Sequence, residues 1–233
     1  MLRFLFNEPR RLDSEELVMV QSAINSFRKV IFSGRTRVEI PRDRQARFDI
    51  WCQGFIDAVN ELEQSQYVAR KYANKVHKKF IEQMTIEESD DYHRFIYFYK
   101  NALIRMFSIL DKLGYFMNEI FNLRTEKVKA KFSYFTVLRN MRGGSANYKW
   151  LEQQLTRIKD ENKSKLDKLR NQRNMEIHFI NVDMMDDLMD ENRRGGDRIR
   201  LEDAQANMLD LDHGCHMVMQ AMKIVFTYLS RSR

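Results

Sequence analysis

Apolar residues recur at intervals of three and four along most of the chain, the period of helices that bury one face. From about Arg42 to Gln83 the stripe reads Phe48, Trp51, Phe55, Val59 and Leu62, then Tyr72, Val76 and Phe80. It predicts one long helix or two stacked pieces. From about Ser89 to Asn122 the same spacing joins Phe95, Tyr99, Leu103, Met106, Leu110, Leu113, Met117 and Ile120 into one continuous inward stripe. An earlier helix starts at Asp13 or Ser14, where Asp13 and Glu16 can form a capping box, and runs to about Ile31. Gly143 and Gly144 punctuate the chain and Ser145 can cap. Beyond them Leu151, Leu155, Ile158, Leu166 and Leu169 predict a further long helix reaching toward His178. A last helix covers about Leu201 to Leu229.

Only Pro9 and Pro41 occur, both outside the periodic segments, so nothing interrupts these helices from within. KAKFSYFTVL admits a strand or a short helix, but a lone strand would leave its edges unpaired, which favours helix or irregular structure. NVDMMDDLMDENRRGGDR is acidic, then basic, with two glycines, and reads as a mobile loop. The expected fold is all-α, a multihelical bundle of long antiparallel helices. Residues 1–85 would supply helices packed on or appended to a core formed by residues 86–233.

With 233 residues, 43% of them hydrophobic, and only eight glycines and two prolines, fibrous and disordered classes are excluded. A chain of this length can bury a sizeable core without metals or disulfides. Fourteen methionines and sixteen phenylalanines fall mostly at helical spacing, where they fill gaps between helices rather than form a cofactor groove. Forty basic against 33 acidic side chains leave a net charge of +7, a bias toward polyanionic partners spread among interspersed signs. Cys52 and Cys215 are too few for a disulfide scaffold or a thiolate zinc site, and suit a reducing cytosol. No apolar stretch approaches 18 residues, and the first segment turns charged after six residues. The expectation is a cytoplasmic protein without membrane association.

The chemistry concentrates in KLDKLRNQRNMEIHF, residues 165–179. Arg170, Asn174 and His178 follow one another at steps of four on one helical face, and Arg173 can reach the same surface with its long side chain. Asn174 can orient one imidazole nitrogen, and Arg170 or Arg173 can grip a phosphate bidentately. Lys165, Lys168 and Arg170 extend the positive surface as RNA-binding candidates. His178 can serve as base or acid near neutral pH, and arginines can stabilise charge developing on phosphate oxygens. RNA carries its own nucleophile, the 2′-hydroxyl, so such a site requires neither metal nor cofactor. One histidine cannot efficiently perform both proton transfers, whereas a homodimer that joins two copies of this face supplies a second.

Arg173, Asn174 and His178 in RNMEIH resemble the motif of the HEPN superfamily, in which an arginine and a following polar residue precede a histidine. Four residues separate Arg173 from His178, within the family range, and the helical architecture extends the resemblance over about residues 89–230. The resemblance implies a helical bundle, often dimeric, and in catalytic members a metal-independent endoribonuclease working across the dimer interface. It assigns phosphate binding to Arg173, orientation to Asn174 and proton transfer to His178. The superfamily also contains non-catalytic scaffolds, in which the same polar face would serve dimerisation or an unidentified protein partner. In that alternative Arg170 and Arg173 pair with Asp183, Asp186 or Asp187, and His178 caps a helix end.

Other constellations say less. Asp210, Asp212, His213, Cys215 and His216 lie within seven residues but match neither a zincin spacing nor a paired-cysteine site. Three basic groups can follow a nucleic-acid backbone, though solvated surface is their default reading. They are Arg35, Arg37, Arg42 and Arg44; Arg70, Lys71, Lys75, Lys78 and Lys79 beside Tyr67 and Tyr72; and Lys127, Lys129, Lys131, Arg139 and Arg142. In the last group Phe132, Tyr134 and Phe135 would stack bases if exposed. No Gly-rich phosphate loop or dinucleotide fingerprint is present.

Overall fold

The computed structural model describes residues 2–178 and 203–231. Seven α-helices run through them: α1 Glu15–Ile31, α2 Arg42–Ala73, α3 Ile86–Ile120, α4 Tyr134–Met141, α5 Lys149–Glu161, α6 Lys163–His178 and α7 Ala204–Ser230. Short 3₁₀ turns occupy Leu2–Phe6, Ile81–Gln83, Thr125–Lys127 and Ala146–Tyr148. Among the described residues there is no strand, as the helical periodicity predicts. The acidic and basic loop expected at residues 181–198 lies outside the described residues.

Local chemistry explains where the helices start and stop. Ser14, rather than Asp13, is the cap of α1, and its hydroxyl accepts the Leu17 N–H. Of the one long helix or two stacked pieces expected to reach Gln83, the structure forms α2, which ends at Ala73, and a separate 3₁₀ turn at Ile81–Gln83. Glu88 accepts the backbone N–H groups of His77 and Lys78 at 2.6 and 2.8 Å, so these amides are held away from a helical ladder. Gln205 donates to the Ala73 carbonyl at 2.9 Å, capping the end of α2. The single helix expected from Leu151 to His178 is divided at Asn162, whose side chain donates to the Ile158 carbonyl at 2.8 Å and competes with the ladder. The ambiguous segment is helical from Tyr134, and Ser145 caps the following 3₁₀ turn.

The chain divides into two compact units, and α2, α3 and α7 each contribute residues to both. Unit 1 comprises residues 1–10, 62–105 and 163–214. Its core is built from Val68 and Ala69 of α2, Tyr92, Phe95, Tyr99 and Leu103 of α3, Leu166 and Leu169 of α6, and Met208 and Leu211 of α7. Unit 2 comprises residues 11–61, 106–162 and 215–233. Its centre is Phe116, whose ring lies 5.3–6.1 Å from those of Phe226, Phe48, Phe55 and Phe27. Such edge and tilted pairs add to the burial of large apolar surfaces.

Two glycines in unit 2 differ in what they do. A Cβ on Gly114 of α3 would fall 2.6 Å from the Tyr134 Cα, so only glycine lets α4 approach α3 this closely. A Cβ on Gly54 of α2 would meet nothing within 4 Å. Glycine inside a helix costs about 0.5–1 kcal/mol relative to alanine, and at Gly54 no close packing offsets it.

Candidate functional site

Helix α6 changes character along its length. At about 100° per residue, Leu166, Leu169, Arg173 and Glu176 share one stripe. The first two are buried, and the stripe then becomes polar. On its edge Gln172 accepts from the Tyr99 hydroxyl of α3 at 2.8 Å and donates to the Asn207 side chain of α7 at 3.4 Å. Tyr99 and Asn207 are both buried, so an amide here satisfies polar groups that water cannot reach. Glu176 forms an ion pair with Lys100 of α3 at 2.8 Å. Gln172, Tyr99, Lys100, Glu176 and Asn207 therefore fix the last turns of α6, although the spacing argument selected none of them. The available signal was the polar Gln172 one position before Arg173 and in register with buried Leu169.

Arg173 is half-buried on that polar stripe. Asn174, also half-buried, is rotated about 100° from it, and His178 stands about 140° from Arg173 but only about 40° from Asn174. Arg170, Asn174 and His178 thus share a flank one turn apart, as the spacing predicts. Arg173 projects from the neighbouring inward stripe, and only the length of its side chain can bring its guanidinium to that flank. His178 is the last residue of α6.

The three candidate RNA-binding residues differ in setting. Lys168 pairs with Asp210 of α7 at 2.7 Å, and Arg170 with Asp167 one turn earlier at 3.0 Å. Both cations are substantially exposed, so a phosphate can exchange with these carboxylates at little cost. Lys165 is half-buried on the same helix. The acidic partners considered for Arg170 and Arg173, Asp183, Asp186 and Asp187, lie outside the described residues.

The Asp210–His216 segment does not converge on one point. Asp210 holds Lys168, Asp212 pairs with Arg70 and accepts from Gln66 at 2.6 Å, and the His213 ring bonds the Leu209 carbonyl at 2.7 Å. In unit 2, Cys215 is buried and His216 meets Glu16 at 2.6 Å. Among the described residues no three His, Cys, Asp or Glu side chains group as a metal-ligand set. Burial, reinforced by Asp49 and opposed by Arg28, pushes the Cys52 thiol up to about 12, which leaves it protonated and a poor nucleophile.

The basic groups separate in the same way. In unit 1, Arg70, Lys71 and Lys75 pair with Asp212, Glu8 and Asp91. In unit 2, Arg37 stacks over Tyr228 at 4.5 Å and Arg142 pairs with Glu152 at 3.3 Å. Tyr134 is fully buried and cannot stack a base, whereas Phe132 stacks on Tyr115 at 5.4 Å. No described helix is long and apolar enough to cross a membrane.

The described residues form an all-α multihelical bundle, the class of fold that the HEPN superfamily adopts. Residues 51–230 match the family model for Cthe2314-like HEPN, and the chain belongs to that family. The match begins inside α2, well before residue 89, and takes in residues 51–73 of that helix. No curated protein and no solved structure matches the chain.

Proposed function

We propose that this chain binds and cleaves RNA as a metal-independent endoribonuclease, acting as a homodimer in the cytoplasm. The observation that carries the reading is the end of α6 in a HEPN-family chain. There a buried apolar stripe gives way to Arg173, while Asn174 and His178 lie one turn apart on the adjoining flank. In the reaction the substrate 2′-oxygen attacks the adjacent phosphorus, the bond to the 5′-oxygen breaks, and a 2′,3′-cyclic phosphate and a 5′-hydroxyl form. His178 of one copy takes the 2′-hydroxyl proton and His178 of the other protonates the leaving oxygen. Arg173 stabilises the charge on the non-bridging oxygens, and Asn174 orients the imidazole. Lys165, Lys168 and Arg170 hold the neighbouring backbone. Two free, buried cysteines suit a reducing compartment.

A second reading is favoured by the ion pairs beside the motif. Lys168–Asp210, Arg170–Asp167 and Lys100–Glu176 already compensate much of the local charge, as a face built for a protein partner would. A mixed pool of single-stranded and structured RNA in excess EDTA separates the two. The nuclease reading expects cleavage to cyclic-phosphate ends, reduced about 10²–10⁴-fold in His178→Ala at equal folding and oligomeric state. Identical products from both proteins would favour the scaffold.

A further inference from the structure

Unit 2 carries a pocket that the α6 chemistry does not use. It has a volume of about 370 Å³ and is lined by Ile50, Trp51, Gly54 and Phe55 of α2 and by Lys112 and Tyr115 of α3. That volume falls within the usual small-molecule range of about 300–1,000 Å³. Two helical stripes build it. On α2, Arg44, Arg47, Trp51 and Gly54 succeed one another at three and four, and on α3 so do Lys112, Tyr115 and Glu119.

The walls are aromatic and their rim is cationic. Tyr115 is 53% exposed and held flat by Phe132, which stacks on it with 11° between the ring planes. Trp51 meets Tyr115 at 6.3 Å, and the Arg47 guanidinium lies 5.2 Å from the Trp51 ring centre. Arg47 and Arg44 share one carboxylate, Glu119, at 2.8 and 4.0 Å, and both arginines remain more than two-fifths exposed. The nearby acids are engaged elsewhere: Asp49 pairs with Arg28 at 2.7 Å, and Asp111 accepts the Tyr134 N–H at 3.2 Å. Lys112 lines the pocket and is exposed. Gly54 leaves the α2 wall open although nothing in the fold requires a glycine there.

We infer that this pocket takes an unpaired base of single-stranded RNA against Tyr115 and Trp51, with Lys112, Arg44 and Arg47 on the flanking phosphates. Aromatic platforms beside a positive rim bind single strands without needing a base sequence. The choice of RNA as the source of the base rests on the function proposed above, whereas the pocket chemistry stands on its own geometry.

The test uses the full chain with His178→Ala, so that RNA stays intact, and Trp150→Phe, so that Trp51 is the one tryptophan left. Penta-adenylate and penta-uridylate RNA are titrated, with AMP as the mononucleotide arm. The expected result is quenching of Trp51 by both oligomers at concentrations where AMP gives none. Tyr115→Ala should weaken binding about 5- to 100-fold. Lys112→Glu should flatten the logarithmic salt dependence by about 0.7 or more. Gly54→Leu fills the pocket with a better helix former and should abolish quenching while the protein stays folded. Unchanged affinity in folded Gly54→Leu and Tyr115→Ala would overturn the inference, and so would equal quenching by AMP. Quenching without RNA cleavage by the parent chain would defeat the nuclease reading and leave the pocket standing. Cleavage by the parent chain with no quenching would do the reverse.

Discussion

In unit 2 the Phe116 ring meets Phe27, Phe48, Phe55 and Phe226, while in unit 1 buried Tyr99 and Asn207 are joined by hydrogen bonds through half-buried Gln172 of α6. The rings are non-directional apart from their edge preferences, so they stabilise a compact core without dictating where one side chain ends. The amide in unit 1 contributes less net energy and demands more geometry, because each buried donor must find its acceptor. Such a lattice suits the helix that carries Arg173, Asn174 and His178. A site works only if its backbone is fixed.

The contrast predicts unequal losses. Phe116→Ala removes the shared partner of five rings, those of Phe27, Phe48, Trp51, Phe55 and Phe226, and it should cost about 3–5 kcal/mol, read by urea unfolding with an unchanged slope. A loss below 1 kcal/mol would mean that the cluster collapses around the gap and is not the centre of unit 2. Gln172→Leu keeps the volume but takes a hydrogen-bond partner from Tyr99 and Asn207, at about 1–3 kcal/mol. Adding Tyr99→Phe should recover part of that loss, a coupling that a double-mutant cycle measures. Strictly additive losses would show that the lattice does not act as a unit.

Helix periodicity was enough to read the class, because buried stripes such as Phe95 through Ile120 keep their spacing whatever they pack against. Boundaries were harder. The end of α2 at Ala73 depends on Glu88, which takes amides from residues ten and eleven positions away in sequence, and the break at Asn162 depends on one side-chain bond to Ile158. The steps of four from Arg170 to Asn174 and His178 fall within α6, where a helix keeps them along one flank. The inward projection of Arg173 became clear only once Leu166 and Leu169 were seen buried, since a sequence does not say which face the bundle takes. Tyr99 and Asn207 were out of reach because they join α6 from positions 73 and 35 residues away.

Two glycine substitutions separate a residue that the fold needs from one that it tolerates. Gly114→Ala places a methyl 2.6 Å from the Tyr134 backbone, which must shift, so a loss of about 1–3 kcal/mol is expected. Gly54→Ala adds its methyl to open space within a helix and should instead stabilise the chain by about 0.5–1 kcal/mol. Thermal unfolding of the pair reads opposite signs from the same chemical change. Were Gly54→Ala destabilising, a packing constraint would account for the glycine. A gain in stability would mean that packing does not explain it, and the opening it leaves beside Trp51 and Tyr115 would have to.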